Sequence, residues 1–523
     1  MPRRRRAAVL FAALALVSGC GTTVPLAQQR VASGASGLSD PAGSGAGDNL
    51  PTGSSTAATT GGTSGPAGPA GGVGSSTTTG GTGSTSTTGA SSLQPPSGSA
   101  GAVPTSGPGW DATHVYVGIP TADDFDKTIK AAGGTGSNGD VHGDIAAVVA
   151  AINKAGGVLG RQVVAAYHDA PTTDYAYNPA STAQQMCTYF TQDRPVVAVI
   201  NGVPQLDGAA NFHTCLEKAK VSLLSLANTD YGDADYQRLG PHLWTTGSLS
   251  TDVLAPSLVA ALSRQQFFTG WDVLNGKAGS AAVKVGALLP DTAQGRHVYA
   301  LVDAALKRQG LGVASVFFYD PVGLGAKSQS EVLQFQSANV THLLDLPPVA
   351  AEIWLFQAAA EQQQYRPRYG FTSFNLPLSV EENASIVPPK QQIGSMGIGW
   401  QPYNDTNAAH DPGPVPGAKR CLAALAQGGQ TFGGGTRRGA LIAVQLCDAF
   451  YLLADGLREG KGFTGSDLLA GMPLAGQQLT TAGTFGGGLT TTDHGLPGAY
   501  RDQHYDTGCS CFVYSGPTHA LAR

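Results

Sequence analysis

Aromatic side chains are absent from residues 22–108, and only Arg30, Asp40 and Asp48 carry charge there. The stretch is built mainly from Gly, Ser, Thr, Ala and Pro. It holds too little apolar surface to offset the entropy of ordering it, so a packed domain is excluded and a flexible linker is expected. About 80 such residues have a root-mean-square span of roughly 50 Å. Catalytic signatures are also missing. There is no G-x-S-x-G elbow and no H-E-x-x-H. Gly134-Thr135-Gly136-Ser137-Asn138-Gly139 fits G-x-G-x-x-G by letter, but not at the strand-to-helix turn that gives the motif meaning. Gly433-Gly434-Gly435 before Arg437-Arg438 lacks the lysine and spacing of a phosphate loop. The eleven histidines are scattered, and Cys509-Ser510-Cys511 has no His or Cys at ligand spacing. These absences predict no enzyme activity, no metal and no cofactor. Basic residues are not in excess, which excludes nucleic acid as a partner.

The first twenty residues are of another kind. Arg3 to Arg6 precede an apolar run, Ala7 to Val17, and then Ser18-Gly19-Cys20. A basic head, a short apolar core and small residues make a secretory signal, because the run is too short to span a bilayer. Val17-Ser18-Gly19-Cys20 resembles the lipobox of bacterial lipoproteins. That resemblance implies cleavage before Cys20, diacylglycerol on its sulfur, palmitate-type acylation and a membrane anchor. The expected organisation is a signal peptide over 1–19, a linker over 20–109 and a folded part over 110–523. Loss of the four arginines moves the formal charge from −5 to about −9.

With Cys20 assigned, six cysteines remain: Cys187, Cys215, Cys421, Cys447, Cys509 and Cys511. An even number in an exported chain reads as three disulfides, with fifteen possible connectivities. The local pairs close most easily: Cys187 with Cys215, Cys421 with Cys447, and Cys509 with Cys511, the last in a small ring. On the chain-entropy account, closing the first loop contributes roughly 3–4 kcal/mol.

The folded part alternates short apolar runs with helical patterns. Strands are expected at 114–120, 162–168, 195–200 and 221–226, with helices at 144–154, 181–192 and 208–219 between them. The rhythm restarts with strands at 242–246, 282–289, 313–319, 342–346 and 369–373, and helices at 251–267, 296–309 and 349–363. A Pro/Gly/Asn-rich stretch after Trp400, a strong helix at 441–457 and a final strand at 511–514 complete it. β-α-β-α order argues for an α/β fold of parallel sheets covered by helices on both faces. No internal repeat is visible.

Residues 143–169 read GDIAAVVAAINKAGGVLGRQVVAAYHD. This resembles the type I periplasmic-binding-protein domains of the branched-chain amino-acid receptor group, in which a helix ending Ile-Asn runs into Gly-Gly-x-x-Gly and then a strand ending near an acid. The matching positions are Ile152, Asn153, Gly156, Gly157, Gly160 and Asp169. The resemblance implies two Rossmann-like lobes joined by three crossing segments. Lobe one would take 111–246 and 402–482, and lobe two 247–400 and 500–515. Crossings would fall near Thr246-Gly247, near 399–401 and within 486–505. Many members of the group carry a disulfide where Cys187 and Cys215 stand.

The resemblance also implies a ligand held at the carboxyl ends of strands. Asn228 and Thr229 match the loop that holds ligand carboxylates. Asn201 and Gln205 offer amides where the group has Ser or Thr. Phe125 stands in the loop whose aromatic stacks on ligand. In lobe two, Asp291 and Asp345 are candidate acids for a ligand ammonium, with Gln294, Ser373 and Asn375 also at strand ends. The implied function is a monomeric, lipid-anchored, extracytoplasmic solute receptor of an ABC importer. It would take an amino acid or a related carboxylate or amide by hinge closure and dock on a permease. A ligand-sensing ectodomain with a separate membrane partner is the alternative.

Overall fold

The computed structural model describes residues 105–131, 137–226, 229–321, 323–346, 350–412, 415–432 and 437–521. The signal peptide, Cys20, the linker up to residue 104, Asn228, Gly134 to Gly136 and Gly433 to Gly435 lie outside the described residues.

The first sheet holds β1 (His114–Thr121), β2 (Gln162–Asp169), β3 (Ala198–Asn201), β4 (Ser222–Ser225) and β5 (Leu243–Thr245). Their spatial order is β2-β1-β3-β4-β5, all parallel. β3 and β4 are buried throughout, as strands covered on both faces must be. Helices of ten residues or more are α1 (Val141–Lys154), α2 (Pro179–Thr188), α3 (Ala210–Ala219), α4 (Thr251–Arg264), α5 (Ala293–Lys307), α6 (Ser328–Ser337), α7 (Ala350–Gln362), α8 (Ala418–Gln427), α9 (Arg437–Gly460) and α10 (Gly465–Gln478). One face of the first sheet packs with α1, α8, α9 and α10, and the other with α2 and α3.

The α1–β2 junction shows why its sequence is so specific. Asp140 caps α1 by accepting from the Gly143 N–H at 2.9 Å. At the other end the Gly157 N–H reaches the Ile152 carbonyl at 3.0 Å, closing the helix in the left-handed manner. Gly157 has φ +70°, and a Cβ there would lie 2.0 Å from the Arg161 carbonyl oxygen. Val158 and Arg161 then exchange two backbone hydrogen bonds across a tight turn. The Asn153 amide clamps β2, accepting from the Val163 N–H at 2.7 Å and donating to the Val163 carbonyl at 2.9 Å.

A short hairpin, β6 (Trp271–Asp272) with β7 (Lys277–Ala278), precedes the second sheet. That sheet holds β8 (Val285–Pro290), β9 (Val313–Tyr319), β10 (His342–Asp345), β11 (Arg368–Thr372), β12 (Met396–Gly399), β13 (Ala499–Asp506) and β14 (Cys511–Ala520). The order is β14-β13-β12-β11-β10-β8-β9. β8 to β12 pair in parallel, whereas β13 and β14 are antiparallel additions at one edge. This corrects two expectations. The second sheet is mixed rather than parallel, and it ends in a hairpin rather than one strand. A tight turn can join only antiparallel neighbours, so the short 506–511 connection dictates the result. Apolar clusters cover both faces of this sheet too.

Other differences are local. β12 has no counterpart among the expected strands, since Met-Gly-Ile-Gly is short and carries little apolar signal. Helices α6, α8 and α10 fall where no helix was expected. α9 is longer than expected and is apolar enough to cross a membrane by length and composition, but most of it is buried in the first lobe's core. The three disulfides are Cys187–Cys215 between α2 and α3, Cys421–Cys447 between α8 and α9, and Cys509–Cys511 in the last hairpin.

Candidate ligand cleft and hinge

β5 runs directly into Thr246-Gly247, and β12 into Trp400-Gln401. The carboxyl ends of the parallel strands of both sheets therefore converge on the crossings, where ligands of open α/β sheets bind. The crossings are bonded to one another. The Gly247 carbonyl accepts from the Trp400 indole at 2.8 Å and from the Gln401 amide. The Thr245 N–H donates to the His494 carbonyl at 3.0 Å, and the Leu496 N–H to the Thr245 carbonyl at 2.8 Å. Trp244 stacks on His494 with ring centroids 3.9 Å apart. Asp448 of α9 fixes the start of the third crossing by accepting from the Ala482 and Gly483 N–H groups at 2.6 and 2.8 Å.

Ser373 joins this hinge rather than standing alone at a strand end. Its hydroxyl donates to Asp405 Oδ2 at 2.7 Å and accepts from the Trp400 N–H at 2.9 Å. Asp405 Oδ2 also accepts from the Gln401 N–H at 3.0 Å and from the Tyr514 hydroxyl. A second contact bridges the lobes beside the first crossing. Asp252 Oδ2 accepts from the Asp233 N–H at 2.9 Å, Asp233 Oδ1 accepts from the Ser250 hydroxyl at 2.6 Å, and the Thr251 N–H donates to the Tyr231 carbonyl at 3.0 Å.

On the first lobe, Thr229 lies where its loop meets the hinge. Its N–H donates to the Ser248 hydroxyl at 2.7 Å, and its own hydroxyl is buried without a protein partner. Asn201 ends β3 and is buried. Its amide accepts from the Val203 N–H and donates to the Val203 carbonyl, both at 3.0 Å, so both atoms serve the turn after β3. Gln205 is half-buried in the short helix Pro204–Asp207. Asp207, two residues on, escaped notice in the sequence. It is buried and accepts from the Ser225 hydroxyl at 2.9 Å. Its carbonyl takes the Tyr231 hydroxyl at 2.8 Å and contacts His213 Nε2 at 2.7 Å. Burial pushes its carboxyl up to about 7. Phe125 is half-buried at the start of the helix Phe125–Ala131. Asp124 ties that loop to the segment after β2, accepting from the Thr172 N–H at 2.7 Å and the Thr172 hydroxyl at 2.6 Å.

On the second lobe the two candidate acids part company. Asp291 is exposed and pairs with Arg296 at 2.5 Å. Asp345 is 1% exposed, accepts from the Asn375 amide at 2.5 Å through Oδ2, and leaves Oδ1 buried without a partner. Burial and the nearby Glu352 raise its carboxyl well above the usual range. Asn375 is held in turn by the Thr372 N–H at 2.7 Å. Gln294 faces another way, donating to the Thr251 hydroxyl at 2.6 Å and tying α5 to α4. Glu331 and Glu352 are buried close to Asp345; burial raises both carboxyls, and Glu352 raises Glu331 further. Asp345 is legible in the sequence as a strand-end acid, but its acidic surround is not, because Glu331 and Glu352 lie on the separate helices α6 and α7.

His410 lies beside Cys509 and Cys511, with the three donor atoms within 4.8 Å of one another. The fold carries His410 in from a hundred residues away, which no ligand spacing in the sequence records.

No protein-family model and no curated protein matches the chain. Solved structures do. A Rhodopseudomonas palustris ABC-transporter solute-binding protein in complex with 4-hydroxybenzoate is 13% identical, with TM-score 0.54, covering 78% of this chain and 97% of its own. A fatty acid ABC-transporter substrate-binding protein from Thermomonospora curvata is 16% identical, with TM-score 0.54, covering 80% and 95%. A branched-chain amino acid ABC transporter protein from Thermus thermophilus with bound valine is 12% identical, with TM-score 0.52, covering 78% and 96%. The chain has the fold of the type I periplasmic binding proteins.

Proposed function

We propose that this chain is a solute receptor that captures a small polar ligand between its lobes and delivers it to an ABC permease. The observation that carries the reading is a pair of unsatisfied groups on opposite lobes near the hinge, the Thr229 hydroxyl and Asp345 Oδ1. A hydroxyl on one side and a buried acid on the other suit a ligand with a carboxylate and an ammonium, an amino acid or a close relative. Ligand contacts made with both lobes would favour the closed state, which is how a hinge couples binding to docking. Phe125 and Gln205, half-buried in strand-end loops, stay as flanking contacts. Asn201, Asp291, Gln294, Ser373 and Asn375 serve the framework in this reading. Neighbours of the same fold bound to valine and to 4-hydroxybenzoate support a small carboxylate-bearing ligand.

In the same reading Cys20 carries the lipid and residues 20–109 tether a monomeric receptor to the outer face of the cell membrane. Mass spectrometry of Cys20 from native membranes tests this, since an unacylated cysteine would remove the anchor. The ligand claim is tested by thermal unfolding of the mature protein against amino acids, aromatic carboxylates and amides. A ligand at a hundred times its dissociation constant adds about 2.7 kcal/mol and raises the melting temperature by several degrees. A flat response across the whole panel would overturn the reading.

A further inference from the structure

The Cys509–Cys511 disulfide differs from its two companions in loop size and in backbone conformation. Cys187, Cys421 and Cys447 are fully buried in the apolar cores and Cys215 is half-buried between helices, whereas the half-buried Cys509 stands at the tip of the β13–β14 hairpin. Only Ser510 separates the bonded cysteines, and it is held at φ +55°, a left-handed conformation costly for a residue with a side chain. Opening the bond would release that constraint. Cys511 is the buried partner, and His410 Nδ1 lies 3.4 Å from its sulfur.

The surroundings decide which way that imidazole is protonated. Asn407 Oδ1 accepts from the Ala409 and His410 N–H groups at 3.1 and 3.2 Å, and Asn407 Nδ2 donates to Glu381 Oε2 at 3.0 Å. The amide orientation is therefore set, with its oxygen toward His410. His410 Nδ1 lies 2.9 Å from that oxygen, which can only accept, so Nδ1 carries the hydrogen. The same ring nitrogen lies within hydrogen-bond reach of Cys511 Sγ. Glu381 also accepts from the Phe512 N–H at 2.6 Å, holding the strand next to Cys511 in place.

We propose that Cys509–Cys511 is a thiol–disulfide exchange site for small thiols, with Cys509 the attacked sulfur and Cys511 the leaving one. A thiolate RS⁻ attacks Cys509 Sγ, an R–S–S–Cys509 bond forms, and the Cys509–Cys511 bond breaks. Its electron pair leaves on Cys511 Sγ as a thiolate, which the His410 Nδ1–H stabilises by a hydrogen bond. A second thiolate attacks the mixed disulfide and releases RSSR. Two RSH are oxidised, and the protein disulfide is reduced to two thiols that take up the two protons. Leaving-group stabilisation and access of the attacked sulfur set the rate of such exchange.

The test uses the full chain with glutathione as the probe thiol, followed by alkylation and peptide mass spectrometry. The expected result is a glutathione adduct on Cys509, a free Cys511, and intact Cys187–Cys215 and Cys421–Cys447 under native conditions. His410→Ala should slow opening roughly tenfold, as loss of one hydrogen bond to the leaving sulfur implies, with the melting temperature unchanged. His410→Gln, which keeps an N–H donor, should recover part of the rate. Opening no faster than the other two disulfides, an adduct on Cys511, or an unchanged rate in His410→Ala would each overturn the proposal.

Discussion

Asn153 makes two hydrogen bonds to one residue of the next strand, and both partners are backbone atoms of Val163. Replacing it with Ala leaves an N–H and a carbonyl without their partner in a half-buried junction. Asn153→Ala should lower stability by about 1–3 kcal/mol, read by chemical unfolding. The Ile-Asn-x-x-Gly-Gly pattern is legible in the sequence, but the clamp is not, since it depends on where β2 lies. The ligand candidates behave alike. Thr229 and Asp345 are visible as polar residues after strands, yet only the fold distinguishes them from Asn201 and Asp291, whose groups are occupied nearby. Thr229→Val should weaken ligand binding about tenfold in calorimetry, the effect of one lost hydrogen bond. Asp345→Asn should weaken an ammonium-bearing ligand at least as much without lowering the melting temperature, because it removes a buried carboxyl crowded by Glu352. A Thr229→Val protein that binds as tightly as the parent would place the ligand elsewhere.

Strands and helices read with different success for a physical reason. β1, β3, β4 and β8 are apolar runs in sequence and strands in the structure, because central parallel strands are buried on both faces. β12 is hidden by its glycines. A Cβ at Gly397 would lie 1.7 Å from the Phe371 carbonyl oxygen, so only glycine lets β12 lie against β11. Gly397→Ala should therefore destabilise the second lobe strongly, with loss of soluble, folded protein as the measured outcome. α9 shows the opposite trap. Its composition suits a membrane span, but its apolar surface is satisfied by α1, α8 and α10. Only packing partners separate a core helix from a spanning one.

Several carboxyls are buried deeply enough that loss of hydration dominates their protonation, and this shapes how the whole molecule responds to pH. Burial raises Asp207 and Asp448 to about 7, far above their unfolded values. The folded state thus holds protons that the unfolded state releases, and stability falls as pH rises through about 7. His342 acts oppositely. Burial lowers it to about 4, so stability is lost as pH falls from about 6.5 toward 4. Between those limits the two effects oppose each other, and above pH 6.5 the acids act alone. The melting temperature should therefore fall between pH 6.5 and 8.5, with Asp207 and Asp448 each contributing about 1 kcal/mol. A rise over that interval would contradict their burial as neutral groups. The local apolar pattern determined by itself the α/β rhythm, most central strands and the α1–β2 turn, because burial on two faces and left-handed helix ends are short-range demands. Near-neighbour cysteine spacing favoured the three local disulfides, and the fold then bore that choice out. The tertiary structure alone decided the antiparallel edge, the hinge of Gly247, Trp400, Gln401 and Asp405, the acids around Asp345 and the meeting of His410 with Cys511. The β12–β13 pairing, the Gly247–Trp400 bond and the His410–Cys511 contact join residues a hundred or more apart, and the acids around Asp345 meet from one strand and two helices, so no local pattern records them.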